Sequence, residues 1–235
     1  FVVSISALSS RLMGFARDRL LASTFGAGDT LDVYYAAFRI PDLVYNLLIL
    51  GALSAAFIPV FTSLISKDQE KEAWKLANGI LNLGALFTLI ISAIFFLGAS
   101  FFMKLITPGF SPEKMDQAVL FTRIMFLSPL FLGISGIFGG ILTSFKKFLV
   151  YSLAPVMYNA GIILGILVFV RFWGPAGLAW GVVAGALLHM IIQYPAAKFV
   201  GFRHQWIPIA SLWSDRYVRK ILFLMIPRVL GIAVN

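Results

Sequence analysis

Apart from Asp29 in the turn at 25–30, seven charged residues occupy a stretch that otherwise has the composition of membrane-buried helix: Arg11, Arg17, Asp18, Arg19, Asp32, Arg39 and Asp42, all between Ser10 and Pro59. Charge in hydrocarbon is costly and marks a functional site by default. A lone arginine near a helix end reaches the headgroups by snorkelling, but several charges on two successive apolar helices are more simply explained by a shared polar cavity. Four arginines against three aspartates make that cavity net cationic, which suits an anionic ligand handled within the bilayer. Guanidinium is the fitting group, because its planar fork grips phosphate with two parallel hydrogen bonds.

Helical spacing divides the labour among these residues. Arg11 and Asp18 are seven residues apart, as are Asp32 and Arg39, so each pair shares a helix face two turns apart. On this reading each aspartate opposes the arginine on its own stripe. Arg17 points a third of a turn away from Arg11, escapes that pairing, and is the residue expected to meet a ligand phosphate. A plainer account, in which the charges only neutralise one another or sit at headgroup level, needs no ligand at all.

The elements that must position these charges are membrane helices. Hydrophobic residues make up 60% of the 235, charged residues 12%, and the mean hydropathy is +0.93. Charge-free runs at 43–66, 78–103, 124–145, 148–170 and 172–197 each reach the roughly 20 residues that cross a bilayer core as helix. A sixth span covers Phe1 to about Leu21, and a seventh begins near Ile221 and stops with the chain at Asn235. The expected fold is all-α and polytopic: residues 1–198 form a six-helix lobe, 199–220 a cytoplasmic interfacial linker, and 221–235 the truncated start of the seventh helix and second lobe. A chain that opens on Phe and ends in mid-helix reads as a fragment. The second helix, from Asp32 to Ser66, is too long for a straight crossing, and Pro41, Gly51 and Pro59 are its expected breaks.

Loop charge orients the spans. Lys67, Lys71, Lys75, Lys146, Lys147, Lys198, Arg203, Arg216, Arg219 and Lys220 fall on one side, and only Lys104, Lys114 and Arg171 on the other. The first side is the cytoplasmic one by the positive-inside rule, which places the amino terminus there as well. The turns at 25–30, 107–111 and 173–175, each marked by Gly or Pro, then face outward.

Several function classes drop out. There is no cysteine, and His189 and His204 lack metal-ligand spacing, so neither a metal nor a cofactor is called for. The net charge of +9 lies mostly in loops, where anionic lipid accounts for it without nucleic acid. No Walker loop, catalytic triad or acid–base carboxylate pair is present, so the chain reads as no enzyme, and any energy comes from an ion gradient, the membrane potential or substrate mass action.

A resemblance gives these inferences a family. Ser10-Arg-Leu-Met-Gly-Phe-Ala-Arg-Asp18, Phe25-Gly-Ala-Gly28, Asp32, Ala37-Phe-Arg-Ile-Pro41 and Gly51-Ala-Leu-Ser-Ala-Ala-Phe-Ile-Pro59 resemble the amino-terminal signature of the MurJ (MviN) lipid II flippases. Thr107-Pro-Gly-Phe110, Ala154-Pro155 with Asn159, Leu178-Ala-Trp180, and Gln193 with Pro195 extend the likeness over essentially the whole chain. The resemblance implies membership of the multidrug/oligosaccharidyl-lipid/polysaccharide exporter superfamily, with two helical lobes around a central cationic cavity and alternating access. It implies that Arg11, Arg17 and Arg39 bind the pyrophosphate of undecaprenyl-linked lipid II, and that Asp18 and Asp32 position those arginines and exchange partners as the lobes rock. It places the protein in the bacterial cytoplasmic membrane, with lipid II and membrane lipids as partners and cell-wall synthesis proteins as further ones. One departure stands out: many members carry an arginine pair after the proline motif and an acidic residue before the glycine, where this chain has Tyr45-Asn46 and Leu50. That departure favours a flippase for another undecaprenyl-linked oligosaccharide as the alternative, and a non-transporting cell-wall scaffold is the third reading.

Other features read as packing. Gly177, Gly181 and Gly185, Gly161 with Gly165, and Gly136 with Gly140 repeat every four residues and let helices approach closely. His189 and Gln193 continue the first stripe and are expected to be hydrogen-bonded packing residues. Arg123 near the outer end of the fourth helix and Arg228 in the seventh could add to the cavity field. The segment 199–220, with Trp206, Trp213 and several basic residues, reads as an interfacial anchor.

Overall fold

The computed structural model describes residues 2–46 and 54–233, with side chains over 5–46 and 56–225. Helices α1 (Val2–Phe25), α2 (Asp29–Tyr45), α3 (Ser54–Ile65), α4 (Glu70–Leu97), α5 (Ala99–Ile106), α6 (Pro112–Met125), α7 (Ser128–Ser144), α8 (Phe148–Leu164), α9 (Val170–Trp173), α10 (Ala176–Phe199), α11 (Ile209–Leu212) and α12 (Arg216–Ala233) follow in order, with a π turn at Gly165–Phe169 joining α8 to α9. No strand occurs among the described residues.

Four stretches among the described residues are long and apolar enough to cross a membrane: Glu70–Leu97, Pro112–Ser144, Phe148–Trp173 and Ala176–Phe199. The α1 helix has the length but carries four charges, and of the second expected helix α2 and α3 are described, with residues 47–53 outside the described residues. The expectation of breaks at Pro41 and Pro59 is corrected, since both prolines lie inside helices; each removes one ladder bond while the rest of the turn holds. Gly51 and Leu50 lie outside the described residues, as does the side chain of Arg228.

Local chemistry sets the boundaries that matter. Ser111 caps α6 by accepting the Lys114 N–H, with Pro112 in the first turn, where its missing donor costs nothing. The fourth span is therefore α6 and α7 together, starting twelve residues earlier than the charge-free run at Ile124 suggested. Its break falls at Phe126–Leu127, just before Ser128-Pro129: Pro129 has no N–H to donate to the Met125 carbonyl, and Ser128 Oγ donates to that carbonyl at 2.7 Å instead. Gly174, at φ +55°, makes the turn from α9 into α10 in a conformation that a side chain would strain.

Two hydrophobic cores stack along the helices. One, near the 26, 107 and 174 turns, gathers Leu21, Val33, Tyr34, Met103, Phe121 and Leu178. The other, near the lysine-rich turns, gathers Phe57, Phe61, Leu76, Phe138, Ile141 and Phe202, with Phe57 stacked on Phe61 at 5.2 Å and Trp74 on Phe145 at 5.8 Å. The glycine stripes act as expected: Gly161 faces Gly185 and Gly165 faces Gly181, so α8 and α10 meet backbone to backbone. Between α10 and α12, Asn78 of α4 donates to the Arg203 carbonyl at 3.1 Å and accepts the Gln205 N–H at 2.8 Å, tying the linker to the lobe.

Candidate functional site

Four of the seven charges meet at a pocket of about 250 Å³ between α1 and α2, lined by Arg17, Asp18 and Leu21 on one side and Tyr34, Phe38, Arg39 and Asp42 on the other. The two helices touch little, since α1 packs along α8 and α2 along α6 and α7, and the gap between them stays open. Arg17 lies eight residues before the end of α1 and Arg39 ten after the start of α2, which puts both about 12–15 Å from the helix ends that flank the turn at 26–28.

The pairing differs from the expected one. Arg17 does not stand free: its Nη2 lies 2.8 Å from Asp18 Oδ1, its Nε donates to the same oxygen at 2.9 Å, and its Nη1 donates to Asn159 Oδ1 at 3.0 Å. Asp18 thus holds Arg17 and not Arg11. Asp32 does not pair with Arg39; it binds Lys114 Nζ at 2.7 Å, and the same ammonium takes Asp29 at 2.8 Å. The physical reason is common to both corrections: stripe arithmetic considers one helix only, whereas the nearest counter-charge came from an adjacent residue in one case and from another helix in the other. Arg11 lies on the exposed face of α1 and Arg39 is exposed at the pocket, and neither forms an ion pair among the described residues.

Asn159 is the site residue that charge-based reasoning passed over. It is buried, its Nδ2 donates to the Pro155 carbonyl at 3.0 Å, and so its Oδ1 is oriented toward Arg17. The sequence contained the signal, an asparagine four residues after a proline in an apolar span, but not its target. Asp42, the second pocket carboxylate, accepts from Asn46 Nδ2 at 2.9 Å. Tyr45, where an arginine was expected, packs against the buried pair Leu132 and Ala186 instead of presenting a cation. His189 forms part of a hydrogen-bonded knot, with Ser135 Oγ 2.7 Å from its Nδ1 and Gln193 Nε2 donating to Ser135 at 2.6 Å.

Comparison with known proteins fits this arrangement. The family model described as Lipid II flippase MurJ matches residues 21–235. A probable lipid II flippase MurJ from Buchnera aphidicola subsp. Acyrthosiphon pisum is 32% identical over 99% of this chain and 46% of its own length. Among solved structures, a lipid II flippase MurJ in an inward closed conformation superimposes with a TM-score of 0.79 at 24% identity, covering 99% of this chain and 47% of that one. A MOP superfamily transporter from Pyrococcus furiosus gives 0.77 at 16% identity, over 99% and 52%. The chain spans about half the length of the relatives it matches. With its apolar spans and this match over most of its length, the chain is a multi-pass membrane protein and belongs to the MurJ family.

Proposed function

We propose that the full-length protein flips lipid II from the cytoplasmic to the outer leaflet of the bacterial cytoplasmic membrane by alternating access, and that this chain supplies its first lobe. The observation that carries the reading is the α1–α2 pocket, where Arg17 and Arg39 face one cavity at membrane depth with Asp18 and Asp42 beside them. Its ligand is the pyrophosphate: the Arg17 fork exchanges its Asp18 contacts for phosphate oxygens, Asn159 keeps the guanidinium oriented meanwhile, and Arg39 supplies the second positive charge. Arg11, six residues toward the other end of α1, receives the head group earlier on its path. Asp32 acts at a distance, through its clamp with Lys114 at the outer ends of α2 and α6.

The lobe has six spans, with α1 and the α2–α3 unit added to the four apolar stretches, and residues 221–235 start the seventh. Its basic turns and amino terminus are cytoplasmic, residues 199–220 form the interfacial linker, and the second lobe closes the cavity. Restoration of growth and of outer-leaflet lipid II by the full-length gene, in cells depleted of their own flippase, tests the substrate. Failure of well-expressed protein would contradict it. The second reading, a flippase for a different undecaprenyl-linked oligosaccharide, is favoured by Tyr45 packing where a cation was expected. In that case the depleted cells fail to recover while a glycan-export mutant does.

A further inference from the structure

A further arginine sits on a different face. Helices α4, α6 and α10 and the break between α6 and α7 bound a groove of about 620 Å³ with largely apolar walls, including Leu89, Ala93, Leu120, Leu127 and Trp180, and Arg123 is the one charged residue among those lining it. On α6, Leu120 and Arg123 form a stripe distinct from the buried Ala118, Phe121 and Met125. The arginine is held in place. Its Nε donates at 3.2 Å to the carbonyl of Phe96, among the last four of α4 that have no partner within their helix, and its guanidinium carbon lies 5.6 Å from the Phe96 ring centre. Anchored in this way, the side chain is not extended toward the headgroups. Its Nη groups form no ion pair among the described residues.

Trp180 sets the level of the groove mouth. It lies four residues into α10 with its ring 6.2 Å from that of Trp173, an aromatic pair of the kind found at the membrane interface. An uncompensated cation just below an interfacial tryptophan, at the head of an apolar channel, is complementary to a lipid phosphate with an acyl chain beneath it. We propose that this groove binds an anionic glycerophospholipid of the outer leaflet, its phosphate on the Arg123 guanidinium and one acyl chain along Leu89, Ala93 and Leu127. The leaflet rests on the orientation proposed above; the site itself is independent of the α1–α2 pocket.

Native mass spectrometry of the full-length protein tests this, with phosphatidylglycerol as probe and diacylglycerol as the uncharged control. Arg123→Gln removes the charge, and Ala93→Trp fills the channel from an exposed position without touching it. Each variant is expected to bind one phosphatidylglycerol fewer than wild type, with affinity for that copy about tenfold weaker. Wild type is expected to take up diacylglycerol no better than Arg123→Gln does. Unchanged phosphatidylglycerol binding in either variant overturns the proposal, as does equal wild-type affinity for the two lipids, and both would follow if the second lobe covers this face.

Discussion

The α8–α10 seam and the α1–α2 pocket put opposite demands on the same bilayer. Along the seam nothing is charged, and the backbones approach so closely that a Cβ on Gly165 would lie 2.5 Å from the Gly181 Cα. Around the pocket two helices stand apart, and their facing residues are Arg17, Asp18, Arg39 and Asp42. The lesson is that close packing is placed where there is no chemistry. The α1 helix is carried by α8 and not by its sequence neighbour α2, so the charged gap is backed by a stiff wall and needs no contact across it. An opening left unfilled by its own lobe is what a cavity shared with a second lobe requires.

This contrast predicts that the seam breaks the fold while the pocket breaks only function. Gly161→Val has no space, because even a Cβ there meets the Gly185 backbone. Overpacking of this kind costs about 1–3 kcal/mol or more, and the expected outcome on size-exclusion chromatography is loss of the monodisperse species. Asn78→Leu, which releases the linker backbone, comes next at about 1–3 kcal/mol, read as a lower melting temperature. Asp215→Ala follows at about 1 kcal/mol, since Asp215 caps α12 by accepting the Tyr217 and Val218 N–H groups and also meets Lys75 at 3.2 Å. Partial burial raises the Asp215 carboxyl, but those hydrogen bonds and Lys75 outweigh it and hold the group below its ordinary value. The folded value is the depressed one, so this stabilisation is complete above the unfolded value of about 3.9 and is lost as pH falls through the folded one. Melting temperature should therefore fall less steeply on acidification in Asp215→Asn than in wild type. The smallest effect is at the Lys114 clamp, where Lys114→Met should leave melting unchanged and only speed amide exchange in the first turn of α2. A pocket substitution that destabilised as much as Gly161→Val would erase the distinction between the two regions.

Much of this contrast was legible in the sequence. Four-residue glycine spacing identified Gly161, Gly165, Gly181 and Gly185 as a packing face, because the rule depends only on helical period and side-chain size. The cost of membrane charge singled out Arg11, Arg17 and Arg39, of which Arg17 and Arg39 line the pocket and Arg11 does not. Partner choice was not legible. Lys114 reaches Asp32 across 82 residues and Asn159 reaches Arg17 across 142, and no periodicity within one helix encodes contacts of that range. The fourth span was misjudged at its amino-terminal end for a related reason: Lys114 and Arg123 of α6 are held by contacts to α2 and α4, which hydropathy does not register.

The central claim is that the α1–α2 pocket binds a lipid-linked pyrophosphate through Arg17 and Arg39. The most direct measurement compares lipid II binding by purified full-length protein with binding by Arg17→Ala and Arg39→Ala, alongside their melting temperatures. Each variant is expected to lose about tenfold or more in affinity, the worth of a charge-assisted contact, while melting shifts by about 1 kcal/mol or less. Wild-type affinity in a well-folded Arg17→Ala protein would contradict the account.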